Sequence, residues 1–168
     1  MATFQPVWVS TDEHLNNFYS IYKDASLVEK LFGSYRFPPN FPYVHMLWGI
    51  LPFNKVPVVL IASGIAKIDD ASFSLKPKPF NTFGSITKNL LNLEFVISAN
   101  EMTRVSPAKA ESPILQYYSI PFIRVQTNRE GLLKNFLVCL GGSGPSMKNV
   151  NSQSAELLQV LENLIAVK

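Results

Sequence analysis

The last third of the chain most constrains its fold, because short apolar runs separated by turn signals lead there into one amphipathic helix. The runs are Leu93 to Ser98, Ser119 to Thr127 and Phe136 to Gly141. The helical stripe is Leu157, Leu158, Leu161, Leu164 and Ile165, with Asn151 or Ser152 as the expected cap. Short strands followed by a single closing helix predict an α+β fold. Its expected form is a curled antiparallel sheet, or partly open barrel, of about seven strands closed by the C-terminal helix, because a lone sheet leaves an apolar face in water.

A chain of 168 residues suits one domain. The expected division is 1–43, an N-terminal helical extension with a proline and aromatic strap packed on the domain, and 44–168, the barrel with its helix. Hydrophobic residues make up 47% and charged residues 16%, which predicts a sizeable core and argues against a disordered role. A net charge of +3 is too small to predict nucleic acid as a partner, since affinity for a phosphate backbone comes from many neutralised charges at once. Cys139 is the sole cysteine and lies in an apolar run, so a buried thiol and a reducing cytoplasm are expected. Residues 1–10 do not read as a secretory leader. The segment Phe37 to Asn54 lacks Asp, Glu, Lys and Arg, but Pro38, Pro39, Pro42 and Pro52 exclude a membrane helix.

Ser10-x-x-Glu13 reads as a capping box, opening a helix whose stripe (Leu15, Phe18, Ile21, Tyr22, Val28, Leu31) runs to Gly33. Strands are expected at Val44 to Leu51, Val56 to Ala62, Ile65 to Ile68 and Ser72 to Leu75, with Ser63-Gly64 and Asp69-Asp70 as turns. Residues 76–92 read as loop, with one short helical turn at Ile86 to Leu91. Leu93 to Val105 reads as two strands joined by a turn at Ser98 to Asn100. A further turn falls at Asn128 to Gly131, before the strand Asn135 to Leu140.

Three groups of residues are candidate sites. Gly141, Gly142, Ser143, Gly144 and Ser146 lie between a strand and a helix, where backbone amides can hold a phosphate. Neither phosphate-loop spacing is present there, and Pro145 removes a donor, so a plain linker competes with that reading. Lys76, Lys78 and Lys88 flank Phe80 and Phe83 and could meet an anionic lipid surface, although lysines on a loop are commonly no more than solvated surface. Tyr35, Phe37 and Phe41 form either a strap over the core or a partner surface. His14 and His45 lack companions at metal-ligand spacing, so no metal is expected. No nucleophile elbow is present, no catalytic residue is assigned, and no cofactor is expected.

The run from Val56 to the C-terminus resembles the pleckstrin-homology-like superfold, including GRAM and bacterial relatives. It does so through the Val56-to-Ala62 and Ile65-to-Ile68 hairpin, Leu93-to-Val105, Ser119-to-Thr127, Phe136-to-Leu140 and the helix after Asn151. The resemblance implies a bent barrel plugged by a C-terminal helix and a non-catalytic adaptor or scaffold. The basic loop of lipid-binding members has no counterpart at Ser63-Gly64. The expected function is therefore a binding or scaffold module that engages a protein partner or another copy of itself. The alternatives are a small enzyme or ligand-binding domain for a phosphorylated molecule, using Gly141 to Ser146, and an anionic lipid-surface binder, for which flotation with liposomes is not expected.

Overall fold

The computed structural model describes residues 1–32, 36, 44–48, 55–59, 62–78, 92–108, 121–140 and 147–166. Nine strands and three α-helices occur in these: β1 (Ala2–Ser10), α1 (Asp12–Asp24), α2 (Leu27–Phe32), β2 (Val44–Trp48), β3 (Lys55–Val59), β4 (Ala62–Ile68), β5 (Ser72–Pro77), β6 (Phe95–Ser98), β7 (Met102–Pro107), β8 (Ile123–Thr127), β9 (Asn135–Leu140) and α3 (Met147–Ala166). Seven strands form one antiparallel sheet in the order β6-β5-β4-β1-β9-β8-β7, curled into a half-barrel that holds α3. The α+β reading with a C-terminal helix and an N-terminal helical piece holds.

Strand β1, to which the sequence reading assigned no element, is the centre of the sheet and joins two meanders, β4-β5-β6 and β7-β8-β9. Its pairing alternates with burial: Val7 and Val9 point into the concave core, while Trp8 and Ser10 lie opposite Cys139 and Leu137 on the outer face. The expected strands at 44–51 and 56–62 lie elsewhere: their described parts, β2 and β3, pair with each other in a separate two-stranded sheet, and Ala62 belongs to β4, while 49–51 and 60–61 lie outside the described residues. Among the described residues β3 does not form the hairpin expected between Val56–Ala62 and Ile65–Ile68, because its partner is β2 and those of β4 are β1 and β5. Ser63-Gly64 is not a turn but part of β4, where Ser63 pairs with Trp8 and Gly64 with Val7 and Pro77. Glycine is needed at 64 because a Cβ would collide with the Lys76 carbonyl oxygen and sit 3.1 Å from Leu75 Cδ1.

Asp69 does make the expected turn, with its Oδ1 accepting from the Ala71 and Ser72 amides at 2.9 and 2.7 Å. The long helix to Gly33 is instead two helices. Ser26-x-x-Glu29 opens the second one: Ser26 N donates to Glu29 Oε2 at 2.8 Å, and Glu29 N donates to Ser26 Oγ at 3.2 Å. That break turns Val28 away from the expected stripe and leaves it exposed.

The concave face is closed by apolar packing. Phe73 on β5, Phe95 on β6 and Phe136 on β9 meet across the curl with ring centroids 5.5, 5.6 and 6.4 Å apart. Leu157, Leu161 and Leu164 of α3 bury themselves in the same cluster. At about 1.5 to 3 kcal/mol per large side chain removed from water, these three leucines hold the helix in place. The helix begins at Met147, earlier than Asn151, because Asn in an interior turn costs only about half a kcal/mol and does not stop helix growth.

The two edges of the sheet meet at one corner. The expected turn at Ser98 to Asn100 is a 3-10 turn, Ala99–Glu101, but β6 and β7 do not pair across it and lie at opposite ends of the sheet. Ala99 N donates to Ala71 O at 2.8 Å, and Asn128 N donates to Glu101 O at 2.9 Å, so the link ties both meanders together.

Candidate functional site

The described concavity is an open groove of about 830 Å³ on the outer side of the sheet. Its walls are the start of α1 (Thr11, Asp12, Glu13, His14), Thr103, the end of β8 (Gln126, Thr127), the 3-10 turn Gly131–Lys134, and Asn135. Register explains why these meet. Gln126 lies opposite Asn135 and Arg104, and Arg124 opposite Leu137, so alternate residues of β8 and β9 share the outer face. A bulge at Thr103 and a left-handed Gly131 (φ +70°) bend the chain around the groove.

The helix start is fixed by Thr11 rather than by the expected Ser10 box. His14 N donates to Thr11 Oγ1 at 3.2 Å, and the His14 ring meets the same hydroxyl. Ser10 is consumed by the sheet, where it pairs with Leu137 and is buried. Burial pushes the His14 imidazole below its ordinary value, against the pull of neighbouring Glu13.

Beneath the groove runs an ion pair. Arg124, 4% exposed, points both Nη atoms at the Asp12 carboxylate, with Nη2 to Oδ1 at 2.9 Å, and Nη1 also donates to Asn135 Oδ1 at 3.1 Å. A charge this deep is tolerated only when its planar fork is matched in this way. Asp12 and Asn135 are thereby held as groove walls. The remaining lining offers the Thr103 hydroxyl and the Gln126 amide, bracketed by the charges of Glu13 and Lys134, while the Thr127 hydroxyl is buried and already bonded to Leu133 O and Arg129 N.

Of the candidate site residues singled out in the sequence, Lys76 and Lys78 do not line the groove. Lys76 is exposed on the outer face of β5, sharing it with Lys67 and Ser74, and Lys78 is exposed just beyond the strand. Lys88, the loop Gly141, Gly142, Ser143, Gly144 and Ser146, and the aromatics Tyr35, Phe37 and Phe41 lie outside the described residues. Cys139 is buried, and burial pushes its thiol up, away from reactivity. Among the described residues no helix is long and apolar enough to cross a membrane. Asp12, Arg124 and Asn135 were missed; the signal was a lone arginine inside the apolar run Phe122-Ile123-Arg124-Val125, which requires a partner from elsewhere.

Comparison of the chain with protein-family models, with curated proteins and with solved structures finds no match.

Proposed function

We infer that the chain is a non-catalytic binding module of pleckstrin-homology-like build, working in the cytoplasm and engaging a protein partner through the groove beside α1. The strand order supports that build: two meanders flank the first strand, and the last helix fills the concave side. The helices and hairpin between β1 and β4 are a departure from the resemblance, which began at Val56. The observation that carries the reading is the groove itself, open, edged by hydroxyl, amide and charged groups and backed by the Asp12–Arg124–Asn135 network, while the concave face is occupied by Leu157, Leu161 and Leu164. Such a lining suits an extended polar segment of a protein, which brings its own backbone donors and acceptors. The buried Cys139 suits a reducing compartment.

A lipid surface is the weaker reading. Lys67 and Lys76 share one open face, but each cation is worth about 1 kcal/mol at an anionic membrane.

Selection of peptides against the purified chain tests the proposal. Peptides enriched on the wild type should lose at least about tenfold in affinity, about 1.4 kcal/mol, against a Gln126→Ala, Lys134→Glu double variant. Undiminished binding to that variant, or no enrichment, would count against the groove.

A further inference from the structure

His14 stands in the groove wall and shares one hydroxyl with its own backbone. Thr11 Oγ1 accepts from His14 N at 3.2 Å, and the ring Nδ1 of His14 lies against the same oxygen. Leu15 N donates to Thr11 O at 3.1 Å, so the first turn of α1 starts from Thr11 through both its side chain and its backbone. Thr11 is itself buried.

That geometry fixes where the protons sit. The His14 amide can only donate, which leaves the Thr11 hydroxyl hydrogen to point at Nδ1, the one acceptor it meets among the described residues. Nδ1 is therefore the bare nitrogen of a neutral ring, and the ring hydrogen is on Nε2. A second ring proton has to go onto Nδ1. Two donors would then face Thr11 Oγ1, and its own hydrogen would have to swing out toward the groove. The same proton sets a positive charge on the first turn of α1, where the helix dipole opposes it.

The charges around the ring do not offset this cost. Glu13 beside it favours the proton, but burial disfavours it more. Asp12 is engaged by Arg124 of β8, and Lys134 of the 3-10 turn adds a further cation to the same wall. From β7 and β9 the groove receives only the uncharged Thr103 and Asn135, and β3, also packed on α1, carries Lys55.

We propose that His14 is the pH-sensitive switch of the groove, holding the first turn of α1 in its binding form while neutral and releasing both the turn and the ligand when protonated. The link to the wall is Asp12, which lies between Thr11 and His14 in the chain and is tied through Arg124 to Asn135. The release of the ligand rests on the groove reading, whereas the release of the turn is a property of the free chain.

Amide shifts of the free labelled chain between about pH 8 and about pH 5 test it. The amides of His14, Leu15 and Asn135 should share one midpoint with the His14 ring, below the ordinary histidine value. In His14→Gln the same amides should stay still, which excludes the other histidine, His45. Thr11→Val keeps the shape and removes the hydroxyl, so the ring should titrate at higher pH while Asn135 no longer follows it; if His14→Gln does not fold, this variant decides. Affinity for a peptide selected on the chain should fall at least about tenfold between about pH 7.5 and about pH 5.5, and less than about twofold in His14→Gln. A ring that stays neutral to about pH 5, a ring that titrates while Asn135 stays still, or an unchanged response in either variant would overturn the proposal. Absence of any enriched peptide would overturn the groove reading alone, because the free chain still reports the switch.

Discussion

Asp12 in the first turn of α1 and Arg124 in the interior of β8, 112 residues apart in sequence, share a forked ion pair that ties the first helix to the outer face of the sheet. Arg124 is nearly fully buried while Asp12 keeps a third of its side chain exposed, so water can partly replace the carboxylate but cannot easily reach the guanidinium. Removal of a partner from a fully buried pair costs about 3–5 kcal/mol. Asp12→Ala should therefore cost somewhat less, about 2 to 3 kcal/mol, visible as a lower urea midpoint at unchanged slope. A loss under about half a kcal/mol would mean that the pair behaves like ordinary surface charge.

Two glycines should respond differently to the same change. Gly64→Ala places a methyl against the Lys76 backbone carbonyl at a position where β4 is paired on both sides, with Val7 of β1 and Pro77 of β5. A cost of about 2 kcal/mol or more is expected. Gly131→Ala meets no atom within 4 Å and is opposed only by its positive φ, so about 1 kcal/mol is expected. Equal thermal shifts for the two would contradict the close approach of β4 and β5.

The acid limb of stability should report on Glu101. Hydrogen bonds, first from Arg129 and then from the Ser98 amide and hydroxyl, lower its carboxyl from 4.5 to about 2. A carboxylate lowered on folding contributes stability that is fully present above its unfolded value and is lost as pH falls from there toward the folded one. Denaturation profiles should therefore slope downward as pH falls between 4.5 and about 2. Glu101→Gln should flatten part of that slope, and identical slopes for the two proteins would remove Glu101 from the clasp.

Local signals were legible in the sequence and long-range ones were not. Asp69 at its turn, the alternation of Phe95 and Ile97 with Val96, and the leucine stripe of α3 each depend on residues a few positions apart, so pattern alone finds them. Strand β1 escaped because Pro6 and a bulge between Phe4 and Val7 interrupt its alternation, and nothing local says that it pairs with residues 62–68 and 137–140. Ser63-Gly64 was misread because a glycine required by close approach has the same letter as one required by a turn. The groove was illegible for the same reason as β1: Asp12, Arg124 and Asn135 become neighbours only after the sheet has formed. The Ser98-x-x-Glu101 box was readable, but its second partner, Arg129, is 28 residues from Glu101.

The central claim places binding in the outer groove and packing on the concave face, and an amide chemical-shift map of the labelled chain during titration with a selected peptide tests it most directly. The predicted map has its largest changes at Thr103, Gln126, Gly131 and Asn135, with Phe73, Val138 and Leu161 unmoved. Changes concentrated at Phe73, Val138 and Leu161 would place the ligand beneath α3 and contradict the account.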